Sequence, residues 1–370
     1  MYRLPYSKND NPNGWIEVTS HCNMRCEGCY KGIDRTDCIP VHEPIEKIKS
    51  DILSLKNIRN CGIITITGGE AIMHPDIEEI VSFVHSNKLK SLIHTNGLFV
   101  NEKTCTRLKN AGLSGFIIRI DIHNRLNYKN ESELNALRKK YADIVHKVGG
   151  LQLGFTCVVT KNNLIQIPNV VQWFQQNNAY TDYLVLILKR EFSFDSYTPD
   201  VSKEVEVTEL AHTLKNAFPD MLFSSYLGSQ SSNIGYKWVQ TAWFAINGKT
   251  LGYVDAKTVE FSTALGHFRN KTYSYISGKE RNKLPVMQLI AGSLFLPALK
   301  PVLKRYVAEI LKKPSTALQS INHQVINIVN PPSSRTSYTD YCDGCPDAVL
   351  HNGKLVPSCT LESFLKNQPK

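Results

Sequence analysis

Between residues 15 and 190 the chain alternates short, nearly continuous apolar runs with longer stretches whose apolar residues recur every three or four positions. The short runs cover residues 15–19 (WIEVT), 62–67 (GIITIT), 90–95 (KSLIHT), 115–122 (GFIIRIDI), 151–160 (LQLGFTCVVT) and 181–188 (TDYLVLIL). Their β-branched and aromatic content predicts strands. Residues 44–55, 75–86, 102–111, 131–148 and 167–176 predict helices, the first with Ile45, Ile48 and Ile52 on one face. Apolar strands separated by helices predict an α/β fold with a parallel sheet covered by helices, and this number of units suits an open, partial TIM-like (βα)6 barrel. Chemistry in such folds gathers at the carboxyl ends of the strands.

The conspicuous polar motifs of this half fall at those ends. The first run is followed by HCNMRCEGCY, the second by TGGE, the third merges into HTNG, and the fourth ends in RIDIH. Residues 191–335 read differently. YKWVQTAWFAINGKTLGYVD has two β-rich arms around Asn247-Gly248, the residues a type I′ hairpin turn needs. Residues 284–313 join an apolar stretch to a basic one, broken by Pro285, Pro297 and Pro301, which is too interrupted to span a bilayer. Two readings stay open for it: a buried helix or cover over the site, or an interfacial element whose Lys300, Lys304, Arg305, Lys312 and Lys313 meet anionic headgroups. The expected division is a core over 1–190, a substrate-shaping and membrane-facing region over 191–335, and a tail over 336–370.

Charge adds a bias toward anionic partners: Lys and Arg outnumber Asp and Glu 43 to 33. Lys and Arg form no compact stripe interleaved with aromatics, which argues against nucleic acid. The first residues are polar and turn-rich without an apolar signal core, so a cytoplasmic, reducing location is expected, with membrane contact at most peripheral. In that setting clustered thiols read as metal ligands before disulfides. Six of the ten cysteines form two clusters, Cys22, Cys26, Cys29 and Cys342, Cys345, Cys359; Cys38, Cys61, Cys105 and Cys157 are scattered and expected to be buried.

Three thiolates without a nearby fourth leave a four-iron cluster with one iron free for another ligand, the same logic that leaves a catalytic zinc one ligand short. Cys22-x3-Cys26-x2-Cys29 after the first strand, with Gly68-Gly69-Glu70 after the second, resembles the radical S-adenosylmethionine superfamily. The resemblance implies a [4Fe–4S] cluster whose open iron chelates S-adenosylmethionine, and reductive cleavage to a 5′-deoxyadenosyl radical that takes hydrogen from an organic substrate. It implies that Gly68, Gly69 and Glu70 receive the methionyl ammonium. Asn96, and Asp121 or Arg119, would bind ribose or carboxylate, and backbone at 158–160 and 187–189 would line the adenine. The residue before the third cysteine, often aromatic in the family, is Gly28 here, so ring packing falls to Tyr30 or elsewhere.

In the tail, Cys342-x2-Cys345-x13-Cys359 encloses Asn352-Gly353, which predicts a hairpin returning Cys359 toward the CxxC. The arrangement resembles the auxiliary-cluster hairpin of radical enzymes, with spacing similar to that of the molybdenum-cofactor GTP cyclase, and implies a second [4Fe–4S] cluster. A structural zinc site completed by His351 is the rival. The expected activity is radical chemistry on an organic substrate, apolar or lipid in preference to a nucleotide, peptide or soluble metabolite, with electrons from a donor such as flavodoxin or ferredoxin. A metal-stabilised, non-catalytic binding protein is the alternative of another class. His94 and His123 fall at the rim of the expected site, and Cys157, Tyr30 and Cys105 are considered as hydrogen donors.

Overall fold

The computed structural model describes residues 1–26, 29–33, 39–190, 204–228, 235–274, 283–332 and 344–361. After β1 (Tyr2–Arg3) come the alternating units β2 (Asn13–Thr19), α1 (Ile45–Arg59), β3 (Ile63–Gly68), α2 (Ile77–Ser86), β4 (Lys90–Thr95), α3 (Glu102–Asn110), β5 (Gly115–Arg119), α4 (Leu134–Val148), β6 (Gln152–Val159), α5 (Ile167–Gln176) and β7 (Tyr183–Leu188). Strands β2 to β7 pair in parallel and in sequence order, as the alternation predicts. Local chemistry sets several helix limits. Asn101 caps α3 by accepting from Thr104 N at 3.0 Å, and α1 stops at Asn60, whose φ of 47° is left-handed.

The sheet then continues through α6 (Val207–Ala217), β8 (Phe223–Gly228), β9 (Tyr236–Ile246), β10 (Lys249–Tyr253), α7 (Ala256–Asn270), β11 (Lys283–Leu284), α8 (Val286–Phe295), α9 (Leu299–Lys312) and β12 (Ile321–Val329). Its main path runs β1-β8-β9-β12-β7-β6-β5-β4-β3-β2, so residues on both sides of 190 share one sheet. β12 lies parallel to β7 and antiparallel to β9. The two edges, β1 and β2, are joined by residues 4–12 alone. Nine residues reach about 30 Å at most, so the sheet must curl until its edges approach. β13 (Ala348–His351) and β14 (Lys354–Pro357) form a separate hairpin whose Val349 and Val356 pack on Trp15 of β2. Asn247-Gly248 and Asn352-Gly353 all have positive φ, as their hairpin turns require.

The main core lies between sheet and helices, where Ile64, Ile66, Ile93, Phe116 and Phe155 meet Ile52, Val81, Leu108, Val145 and Phe174. The inner face holds a cavity of about 120 Å³ with Trp15, Leu92, Ile117, Val185, Trp238 and Val325 on its walls. Ile63, Leu92 and Tyr183 pack together toward the amino ends of their strands, and Leu92 and Tyr183 line the cavity there, at its floor. The 284–313 stretch does not cover the carboxyl ends. α8 and α9 pack on Phe244, Ile246, Leu251 and Ile321, at the amino end of β12 and hence beside the floor, because the inner face of β9 and β12 leaves apolar groups there that need cover.

Past β5 the chain is anchored by a buried ion pair. Arg138 Nη2 meets Glu131 Oε2 at 2.6 Å and also donates to Ile120 O, while Glu131 Oε1 accepts from Ile122 N. Both side chains are at most 1 % exposed. Arg138→Ala leaves Glu131 buried without its cation and is expected to cost about 3–5 kcal/mol in urea unfolding.

Candidate functional site

Each strand from β2 to β5 delivers its motif to the same end. β2 leads into residues 20–26 and the first two cysteines, and β3 ends in Gly68-Gly69-Glu70. These segments are stitched by backbone: Gly69 N donates to Thr19 O at 2.7 Å and Glu70 N to His21 O at 2.8 Å. A Cβ on Gly68 would stand 2.2 Å from Thr19 O, and one on Gly69 2.3 Å from His21 O. The glycines are therefore required by the approach of one strand end to the other.

Glu70 is wholly buried. Its carboxylate accepts from Thr95 Oγ1 at 2.7 Å, Asn96 N at 2.7 Å and Ile72 N at 3.1 Å, so both oxygens are committed inside the protein. Burial pushes its carboxyl up from the ordinary value, against the opposing pull of these donors. Asn96 is equally committed. Its Nδ2 donates to Asn23 Oδ1 at 2.7 Å and lies 3.9 Å from Cys22 Sγ, linking the end of β4 to the cysteine loop.

Of the expected pair at the carboxyl end of β5, Asp121 is buried just past the strand and Arg119, its last residue, faces the site. Asp121 is fully buried and accepts from His123 N, Asn124 N and Val158 N, and its Oδ2 meets Arg119 Nε at 2.9 Å. Burial opposes its charge, yet Arg119 and these donors hold its carboxyl below the ordinary range. Arg119 is partly exposed, and its positive charge pulls the Cys26 thiol down against burial, which raises it overall. Burial raises the Cys22 thiol too, opposed by a hydrogen bond from Met24 N at 3.4 Å. Val158 N and O, expected beside an adenine, are already engaged by Asp121 and Asn163.

Cys22, Cys26 and Cys29 are free and partly exposed, and Cys26 and Cys29 are close enough to Cys22 that their negative charge opposes its ionisation. Among the described residues no three His, Cys, Asp or Glu side chains converge on one ion-sized point. Cys26 lies near the Arg119 guanidinium, whose charge favours its thiolate, and thiolates are the donors that hold an iron–sulfur cluster. Tyr30 turns into the sheet: its hydroxyl donates to Glu17 Oε1 at 3.5 Å, beside Lys31, which pairs with Glu17 at 2.6 Å.

The sequence reading missed Arg125. It is 8 % exposed, donates to Asn96 O, and places Nη1 3.2 Å from Met24 Sδ, clamping the β4 end and the cysteine loop from the β5 side. Its place four residues after Asp121 in RIDIHNR was the available signal. His94 lies in the cavity wall rather than at the rim, where burial and then Arg119 push it down to about 4; it is neutral and meets Thr156 Oγ1 at 3.2 Å. His123 meets Thr160 Oγ1 at 3.2 Å, and His74 meets Glu43 O at 3.0 Å. Cys61, Cys105 and Cys157 lie in the outer core with their thiols raised by burial, as inert core residues do; Cys38 is outside the described residues.

In the tail, Ala348 pairs with Pro357 and His351 with Lys354, so Cys345 and Cys359 flank one end of the hairpin and His351 stands at the other. That separation, about 10 Å along the strand, removes His351 as their fellow ligand. Ser358 N donates to Asp347 O at 2.8 Å, joining the two cysteine-bearing ends. Cys345 O accepts from Arg59 Nη2 at 2.7 Å, and Lys237 Nζ lies 3.7 Å from Cys359 Sγ. Asp347, pushed up to about 6 by burial against Lys237 and Arg59, lines the cavity. Cys342 is outside the described residues.

Residues 16–171 match the family model described as the Radical SAM superfamily. Among curated proteins, the chain is 23 % identical over 177 residues to the Fe-coproporphyrin III synthase of Methanosarcina barkeri, covering 47 % of this chain and 43 % of that protein. It is 29 % identical over 177 residues to a "Probable GTP 3',8-cyclase" of Methanococcus maripaludis, covering 46 % and 58 %. The chain thus spans about half the length of the curated relatives it matches. Streptococcus suis SuiB bound to precursor peptide SuiA superposes with a TM-score of 0.44 at 17 % identity, covering 56 % of this chain and 45 % of that one.

Two outcomes are expected at this site. Gly69→Ala should displace the backbone at residues 20–21 and sharply reduce iron uptake at the first cysteine loop, while far-UV circular dichroism stays close to that of the parent. Because Asp121 is held below its unfolded value, its stabilisation is complete above that value and fades as pH falls through the lower folded one. Melting temperature measured below about pH 4 should drop steeply in the parent and less so in Asp121→Asn.

Proposed function

With residues 16–171 a radical SAM domain, we propose that the chain is an enzyme that reductively cleaves S-adenosylmethionine and removes hydrogen from an apolar organic substrate. The observation that carries this is the open three-thiol loop, stitched to the Gly68-Gly69-Glu70 turn at the carboxyl ends of the strands over a cavity with largely apolar walls. When bound there, the [4Fe–4S] cluster and S-adenosylmethionine supply the one-electron chemistry.

The chain's own residues bind, orient and exclude. Cys22, Cys26 and Cys29 hold the cluster. Gly68, Gly69 and Glu70 receive the ammonium end, Glu70 through the field of its buried carboxylate rather than an exposed oxygen. Arg119 offers its partly exposed guanidinium to a carboxylate or ribose oxygen, with Asp121 fixing its direction. Asn96 and Arg125 keep the cysteine loop in register with β4. Tyr30 fills the wall beneath the loop. The packed floor and the apolar walls keep water from a reactive substrate.

Cys342, Cys345 and Cys359 would hold a second [4Fe–4S] cluster beside Lys237, near the cavity through Asp347. An external donor such as flavodoxin or ferredoxin would supply electrons. The name of the M. maripaludis relative favours a nucleotide as the second reading of the substrate. The cavity supports the apolar one, because among the described residues that line it the polar groups, Thr65, His94, Thr156, Tyr183, Gln240, Asn327 and Asp347, include no cation for phosphate.

Anaerobically reconstituted protein should hold about eight irons, give a reduced-state EPR signal that shifts on adding S-adenosylmethionine, and release 5′-deoxyadenosine. Cys26→Ala should keep about four irons and lose both the shift and the product. Zinc in place of iron, with no response to S-adenosylmethionine, would identify a metal-stabilised binding protein instead.

A further inference from the structure

α8 presents an apolar face to solvent. At 100° per residue, Ile290, Leu294, Met287, Ala291 and Phe295 spread over about 140° of the helix. All five are exposed, with Met287, Leu294 and Phe295 at 74–77 %. The opposite side buries Leu289 and Ser293, so α8 turns a hydroxyl inward and its largest apolar groups outward, the reverse of an ordinary surface helix. Gly292 permits the tight return into α9, since a Cβ there would stand 2.8 Å from Leu299 Cδ1. Leu294, Phe295 and Pro297 are left exposed at the tip of this helical hairpin.

α9 is fixed by its inner side. Leu299, Val302 and Tyr306 are buried, Arg305 Nη1 donates to Leu251 O at 3.1 Å, and Glu309 pairs with Lys249 at 2.7 Å. Its outer side then carries Lys300, Lys304, Val307 and Leu311, at spacings of four, three and four, all exposed. This stripe of two cations and two large apolar groups runs the length of the helix. Lys300, Lys304 and Lys313 make no ion pair with described residues. From 284 to 320 there are five basic side chains and one acidic one, Glu309, already paired with Lys249 and Lys312.

From this we infer that the α8–α9 hairpin is a peripheral docking surface for an anionic lipid bilayer. The apolar face of α8 and the hairpin tip enter the interface, and Lys300 and Lys304 meet the headgroups, with α9 lying along the plane. Charge decides against a second copy of the chain. A two-fold contact would bring this patch against itself, and its lysines would face only lysines. No helix among the described residues is long and apolar enough to cross a membrane, so the contact is one of surface docking. The hairpin sits beside the cavity floor, so docking there leaves the cysteine-bearing end of the sheet pointing away from its attachment. The inference does not depend on the radical chemistry.

The test is sedimentation of the full chain with phosphatidylcholine vesicles, with and without phosphatidylglycerol, at moderate and high salt. Binding is expected to the anionic vesicles and to weaken at high salt. Lys300→Gln with Lys304→Gln should lower the partition coefficient about thirtyfold, from about fivefold per lysine. Leu294→Ser with Phe295→Ser should lower it on anionic vesicles at both salt concentrations. All four side chains are exposed, so melting temperatures should match the parent, and light scattering should give one mass for all. Absence of binding, binding equal for parent and variants, or a dimer that the same substitutions dissociate would overturn the inference.

Discussion

A buried carboxylate holds the mouth of this sheet together. Glu70 stands at the end of β3, caps the turn that follows, and accepts from the end of β4 through Thr95 and Asn96, while its own N–H is bonded to His21 beside the first cysteine. Charge in a dry interior is costly unless its acceptors are satisfied, and here three donors meet it. The geometry of residues 20–26 follows from that arrangement. Asn96, positioned by Glu70, holds Asn23; Arg125, donating to Asn96 O, holds Met24.

The same economy governs the glycines and Asp121. Gly68 and Gly69 are needed because two strand ends touch through their backbones. Asp121 shapes the loop after β5 and aims Arg119. Motif residues that look like direct ligand contacts thus also form the frame on which contacts are mounted. Arg119 is the member of that frame left partly open, and its charge bears on Cys26. A cation beside thiols stabilises their thiolate form, the state in which sulfur binds metal.

Behind the mouth, the sheet is shaped by what its edges require. Parallel strands need both faces covered, and helices α1 to α5 cover the outer one. The inner face is closed by curvature, by residues 4–12 spanning the edges, and by the β13–β14 hairpin on Trp15. That hairpin brings Asp347 into the cavity wall, so the tail contributes to the same chamber as the barrel core. On the far flank, α8 and α9 cover the β9–β10 hairpin with one side and leave apolar and basic groups in solvent with the other.

Much of this was legible in the chain. The six parallel strands, their five helices and both Asn-Gly hairpins follow from local rules, since periodicity and turn chemistry act within a few residues. The three-thiol loop and TGGE were legible because their spacing to strand ends is short. Sequence alone could not show that β12, more than 130 residues after β7, inserts between β7 and β9, because that pairing depends on unmatched sheet edges. Nor could it show that residues 284–312 lie beside the floor rather than over the mouth, that His351 stands away from Cys345 and Cys359, or that Arg125 clamps the cysteine loop. Those placements are set by register and packing between distant segments. Composition and local pattern determined which elements form; the tertiary structure decided which faces meet, because contact free energy depends on neighbours the local sequence does not specify.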